Sequence, residues 1–258
     1  MNPNRIRAIS TNVFREVVRD QVLYLIGFYA LIMAAAIRLL PEVAASTEKK
    51  MLIDVGLAAI EILGLVIAAF VGTGLVNKEI EKRTVLILMA KPITPAEFVL
   101  GKHLGLSAVL AVLVAAMTVV FLAVLQLSQT SYFLGSTLVI ILYLFLKLSL
   151  VTAAAILFGV FTSSILATLM TFAVYFIGIF SRDFVKLGLA SLNPEVKQLT
   201  EMLYLAVPDL ARLDLKNGDA LYGVLPSPLE LLTNAGYGVI YAILFLSIAT
   251  FIFSRRQF

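Results

Sequence analysis

The chain has 258 residues, 61% of them hydrophobic and only 14% charged, with a mean hydropathy of +1.01 and a formal net charge of +4. Soluble domains run to about 45–50% apolar and about 25% charged, so this composition excludes an ordinary soluble fold and requires lipid as solvent for much of the surface. The absence of Cys excludes a disulfide framework and a thiolate centre, and the single His argues against a transition-metal site.

Residues 5–19 carry Ile6, Ile9, Val13 and Val17 at spacings of three and four, with Arg5, Arg7, Arg15 and Arg19 between them. The pattern predicts a basic amphipathic helix lying at the membrane interface ahead of the first span. A cleaved leader ending near Val43-Ala44-Ala45 is the competing reading. Glu16, Asp20 and Arg38 interrupt it where a leader would be basic and then apolar. Six apolar segments follow, at 22–40, 51–76, 104–127, 133–161, 165–180 and 231–253. A membrane helix needs about 20 residues. The fifth segment is short, and an earlier start through Thr162-Ser163-Ser164 would make a tight hairpin with the fourth. No proline falls inside any segment, which predicts six unbroken helices. The expected fold class is an all-α polytopic membrane protein, a single domain over 1–258 with six transmembrane helices.

Between the second and third segments lies a charged island, 77–103. A helix is expected from Lys78 to Met89, stopped by Lys91-Pro92. Thr94, Pro95 and Glu97 then spell a capping box that starts a second helix. A plain connector needs no two capped helices, so the island is a candidate docking surface for a soluble partner. Residues 181–230 form the other polar stretch. There Asn193-Pro194-Glu195 starts a helix to about Ala206, Pro208 ends it, and Asn217-Gly218-Asp219 marks a turn. Eleven Lys and Arg fall in the N-terminal segment, the island and the C-terminus, against seven in the loops on the other side. The positive-inside rule therefore expects both termini and the island in the cytoplasm, and 181–230 outside.

The motifs of soluble catalysis are missing. No G-x-x-x-x-G-K-[ST] phosphate loop, H-E-x-x-H or G-x-S-x-G occurs. No catalytic residue, cofactor site, metal site or nucleic-acid partner is expected. His103 reads as an interfacial residue near the headgroups, without the partner that a general base needs. Two ionisable residues fall deep within spans: Glu61 and Lys147, each about 20 Å from the same end at 1.5 Å per residue. Mid-membrane charge costs about 2.5–3.5 kcal/mol on insertion scales, so a Glu61–Lys147 ion pair linking the two helices is expected, the alternatives being that one or both face a polar translocation path or a partner subunit, or that Lys147 snorkels.

The island, as Glu79-x-x-x-Arg83-Thr84, Leu88-x-x-Lys91-Pro92-Ile93, Glu97-Phe98 and Gly101-Lys102, resembles the cytoplasmic loop of ABC-2 type transporter permeases. The basic first helix, six spans and terminal Phe253-x-Arg255-Arg256-x-Phe258 fit the same family, closest to its multicopper-enzyme maturation branch. Arg83 where glycine is common, and Thr94-Pro95 where Ser-Arg is common, depart from the pattern. The resemblance implies a plasma-membrane permease subunit that pairs with a second permease subunit and docks two copies of an ABC-type ATPase. Hydrolysis would occur on that partner, and the family mostly exports. Carried over, the ATPase-coupling residues are Lys78, Glu79, Glu81, Lys82, Arg83, Thr84, Pro92, Glu97 and Lys102. An ion-coupled secondary transporter, an intramembrane enzyme and a non-transporting assembly factor are the alternatives. The missing catalytic cluster counts against the enzyme, and proline-free spans count against the secondary transporter. Substrate is not legible: a lipidic cargo fits the apolar spans as well as a small solute does.

Overall fold

A computed structural model describes residues 1–43, 47–81, 93–191, 193–216 and 223–255, without the side chains of Asp20, Gln21, Lys78, Ile80 and Glu81. Among the described residues the regular structure is helical, with no strand. Helix α1 (Pro3–Val17) starts with Pro3 at its first position and the Asn2 side chain accepting the Asn4 N–H. It runs through a π turn (Val18–Val22) into α2 (Leu23–Val43). The second span is α3 (Glu48–Val66), a π turn (Ile67–Val71) and α4 (Gly72–Glu81) in succession. Then come α5 (Pro95–Leu127), α6 (Leu134–Phe161), α7 (Ser164–Ala190), α8 (Pro194–Ala206) and α9 (Pro228–Arg255). Six of these stretches are long and apolar enough to cross a membrane, and the protein is a multi-pass membrane protein.

Several boundaries differ from the sequence expectation. Proline-free does not mean unbroken: the π turn interrupts the second span without a proline, and Pro41 sits in the last turn of α2. The helix capped at Thr94 and the third span are one helix of 33 residues. At 1.5 Å per residue it is about 50 Å long, against a hydrocarbon core of about 30 Å, so its first turns project beyond the lipid. The fifth span runs past Phe180 to Ala190. The two-residue turn Thr162-Ser163 joins α6 to α7 as a tight hairpin, as the sequence suggests. The predicted α8 is present, with the Asn193 side chain capping the Glu195 N–H. The turn at 217–219, the leader-like site after Val43 and the island helix beyond Glu81 lie outside the described residues.

The second and fourth spans form the centre: 67% and 72% of their apolar windows are buried, against 11% for α2 and 22% for α9. Small residues allow this close approach. A Cβ on Gly64 would collide with the Leu148 side chain, one on Gly72 would meet Ala155 at 2.8 Å, and one on Gly159 would meet the Thr73 carbonyl oxygen at 2.8 Å. Without a hydrophobic drive between helices in lipid, such close packing supplies the association energy.

Two ends result. The island end carries α1, the end of α4, the start of α5, the α6–α7 turn and the end of α9. The opposite end carries α8 and the chain that follows it. Part of that chain packs back into the bundle. α8 folds back along α7, with Thr200 against Gly188, and residues 207–216 then turn inward. Leu210, Leu213 and Leu215 are buried in the main core, with Leu210 against Gly178 of α7 and Leu213 against Gly238 of α9. Each buried leucine contributes about 1.5–3 kcal/mol relative to exposure.

Candidate functional site

Two clusters of buried charge stand out, one at the island end and one in mid-bundle. At the island end, α5 begins with the predicted capping box: the Glu97 N–H donates to Thr94 Oγ1 at 3.3 Å, and the Thr94 N–H donates to Glu97 Oε2 at 3.0 Å. The other oxygen, Glu97 Oε1, accepts the Asn2 N–H at 2.6 Å, and Arg5 lies 3.7 Å from Oε2. One carboxylate therefore serves the positive N-terminal ends of two helices, α1 and α5. Above it the two helices run side by side in the same direction. A Cβ on Gly101 would meet Ile9 at 2.8 Å, and one on Gly105 would meet the Ser10 carbonyl at 2.8 Å and Val13 at the same distance. The apolar stripe predicted to face lipid is thus packed on α5, with Val13 and Val17 buried. The outer face of α1 presents Asn4, Arg7, Thr11, Asn12 and Arg15 along a shallow groove of about 400 Å³.

Lys102, one turn beyond Phe98, is buried and paired with Glu79 of α4. Its ammonium also lies 5.4 Å from the Phe98 ring, which stacks on Phe253 of α9 at 5.1 Å. Asn77 Nδ2 donates to the Thr162 carbonyl at 2.5 Å, tying α4 to the α6–α7 turn. His103 is not at a lipid headgroup. It is buried between α5 and α6, with Nε2 3.1 Å from the Ser149 carbonyl oxygen. Its face of α5 points inward because Gly101 and Gly105, one turn apart, give the neighbouring face to α1.

Of the expected coupling residues, Glu79, Glu97 and Lys102 are drawn together as braces between α1, α4 and α5. The side chains of Lys78 and Glu81 are not described, and Lys82, Arg83, Thr84 and Pro92 lie outside the described residues.

In mid-bundle, Glu61 of α3 and Lys147 of α6 form an ion pair, and both are almost fully buried. They are not alone. Residues 207–216 bring Asp214 Oδ2 to 3.1 Å from Lys147 Nζ and set Lys216 against the other oxygen of Glu61. The Tyr175 hydroxyl of α7 donates to Glu61 Oε1 at 2.6 Å. Burial pushes Lys216 below the ordinary lysine value, opposed by the Asp54 carboxylate two turns before Glu61. The two carboxylates Glu61 and Asp214 balance the two ammonium groups Lys147 and Lys216 in formal charge, and Asp54 adds a further carboxylate near Lys216. Asp209 anchors the entry of this segment: it accepts from Ser181 Oγ at 3.0 Å and Arg182 Nε at 3.0 Å on α7, and from Arg212 Nε at 3.2 Å.

Tyr175, Asp214 and Lys216 were not candidates from sequence. Lys216 reads there as an ordinary loop charge. The available signal was the alternation Leu213-Asp214-Leu215-Lys216 inside a nominally external loop. The Gly101-x-x-x-Gly105 spacing likewise marked the α1–α5 contact. Among the described residues no group of three or more His, Cys, Asp or Glu is placed to hold a metal ion.

A family model described as ABC-2 family transporter protein matches residues 8–258, from within α1 through the C-terminus. The chain belongs to that family. No curated protein matches it. ABC-2 transporter proteins are the membrane subunits of ABC transporters, and the family works in general with an ABC ATPase; the membrane subunit is not itself the catalyst.

Proposed function

We propose that the chain is the permease subunit of an ATP-binding cassette transporter, in which a separate ATPase docks on the island end and drives translocation, in the export direction. The observation that carries this reading is the family match over 8–258 on a chain whose α1, α4, α5 and α6–α7 turn are braced together at one end. A push on such an end reaches the second, third, fourth and fifth spans at once, because each brace joins different helices. Glu97, Lys102 and Glu79 act here as positioning residues, and the contacts with the ATPase come from the exposed basic face of α1 and from Lys82, Arg83, Thr84 and Pro92. Two ATPase copies and a second permease subunit complete the assembly, in the plasma membrane, with the island and both termini in the cytoplasm.

The test is purification of the tagged chain from its native membrane in mild detergent. A stoichiometric ATPase with a phosphate loop is the expected companion, lost when Arg7 and Arg15 are both changed to Glu. A second reading, an ion-coupled secondary transporter, draws on the mid-bundle charges, since buried acid–base clusters serve proton and ion pathways in that class. A chain that purifies alone and moves solute under an ion gradient establishes that reading and overturns the first.

A further inference from the structure

Toward the end opposite the island, apart from the mid-bundle cluster, one buried carboxylate holds two arginines. Asp209 is buried, and both its oxygens are engaged. Oδ1 accepts from Ser181 Oγ at 3.0 Å and from the Ala211 N–H at 3.1 Å, and Oδ2 accepts from Arg182 Nε at 3.0 Å and Arg212 Nε at 3.2 Å. A carboxylate offers about four acceptor sites, so Asp209 has none left for the other guanidinium donors. The Arg182 and Arg212 side chains are 52% and 39% exposed. Among the described residues Arg182 has no other ion pair, and most of its donors are unspent. Arg212 lies 4.8 Å over the Tyr237 ring of α9 and also reaches Tyr204 of α8. The neighbouring charges on α7, Asp183 and Lys186, pair with each other at 3.1 Å. Two guanidiniums on one carboxylate therefore leave one surplus positive charge, open to the outside.

Depth gives that surplus a ligand. Arg182 is eighteen residues along α7 from Ser164, and Tyr237 is eighteen residues along α9 from Arg255, both counted from the island end. At 1.5 Å per residue each lies roughly 27 Å from that end, at the far edge of a hydrocarbon core of about 30 Å. Lipid phosphates lie just beyond that edge, and Tyr is enriched there. Ile240 and Leu244, three and seven residues deeper on the Tyr237 side of α9, are exposed and give acyl chains an apolar wall. A guanidinium presents paired N–H groups that match phosphate oxygens. A phosphodiester brings one negative charge, which closes the group to neutral. A zwitterionic headgroup adds an ammonium and restores the surplus.

We propose that Arg182, Arg212 and Tyr237 bind the phosphate of an anionic phospholipid in the leaflet opposite the island, with Asp209 fixing the two guanidiniums. The site does not depend on the permease reading, since it needs only the bundle in its membrane.

The chain has no Trp, so one introduced indole is a clean reporter. Ile240→Trp, at an exposed position, is reconstituted in vesicles of phosphatidylcholine and phosphatidylglycerol, with bromine on the acyl chains of one lipid at a time. Bromine quenches the indole only from lipids beside it. Phosphatidylglycerol is expected to bind there about fivefold more tightly than phosphatidylcholine, ~1 kcal/mol, the upper end for a partly exposed ionic contact. Arg182→Gln in this reporter background removes the preference while Arg212 still pairs with Asp209. Lys186→Gln, the same charge change one turn away, leaves the preference intact. Equal binding of the two lipids to the reporter without further change, or equal falls with Arg182→Gln and Lys186→Gln, overturns the site. If Arg182→Gln fails to fold, Arg182→Lys takes its place: the charge stays and the paired donors go, so a partial loss of preference supports the site and full retention overturns it. Millimolar inorganic phosphate at constant ionic strength is expected to change nothing. A preference that phosphate erases makes this a site for the free anion and overturns the lipid. Absence of quenching by either lipid means that a second copy or another protein covers α9 here, which also overturns it.

Discussion

The two buried charge clusters are built in opposite ways. At the island end, Glu97 works through neighbours in sequence (Thr94 and its own backbone), and adds α1 by offering a second oxygen. In mid-bundle, Glu61, Lys147, Asp214 and Lys216 come from three separate stretches of chain. The one short-range ion pair among them, Lys216 with Asp214, is the loosest at 3.9 Å. The first cluster is a set of end caps near water; the second is a balanced ionic group in the bundle interior. Losing one member should therefore cost little at the first and much at the second.

The largest expected effect is Lys147→Met. It leaves Glu61 and Asp214 facing each other with only Lys216, and breaking a buried pair in this way costs about 3–5 kcal/mol. Adding Glu61→Gln removes the orphan and recovers more than half of the loss, read as thermal unfolding in detergent. A double variant no more stable than the single one would falsify the idea of a balanced cluster. It also follows that exchanging Glu61 and Lys147 alone cannot fully restore stability. The ammonium placed at position 61 would face Lys216, and the carboxylate placed at position 147 would face Asp214.

Next in size is Gly105→Val. Its Cβ meets backbone of α1 at 2.8 Å, so α1 must move off α5, a strain of about 1–3 kcal/mol. Faster proteolysis within 3–17, with the spans intact, is the expected readout; unchanged cleavage means that α1 does not rely on this contact. Smaller again is Thr94→Ala, which removes the α5 cap for about 0.5–2 kcal/mol. Because Glu97 also holds Asn2, the loss should appear as earlier hydrogen exchange at the start of both α1 and α5, and exchange confined to α5 would break the double-cap reading. Last comes Arg7→Glu on the exposed face of α1. Stability is expected to change by less than about 0.5 kcal/mol while ATPase retention falls. A stable, retained complex would move the docking surface elsewhere.

Legibility followed the range of the interaction. The capping box at Thr94 and Glu97, the Asn193 cap and the α6–α7 hairpin were readable because each is decided within four residues. Six spans were readable because lipid demands long apolar runs, though their ends shifted by up to about ten residues where helices continue into water. The interior pairing of Glu61 with Lys147 followed from equal depth, one of several outcomes that depth allows. Their partners on 207–216 did not follow, since a loop of mixed polarity gives no measure of how far it reaches inward. His103 was misplaced for a related reason: hydropathy locates a residue along a helix axis, not around it.

Composition, period and capping thus determined on their own that this chain is a helical membrane protein, where its spans lie, and that the island begins a helix with a capped turn. Those are properties of a segment and its solvent. Tertiary structure alone decided that α1 packs on α5, that the second and fourth spans form the centre, and that Asp214 and Lys216 complete the ionic cluster. The cluster's contacts join residues 67 and 155 positions apart in the chain, and a contact at that distance is set by the packing of the whole bundle.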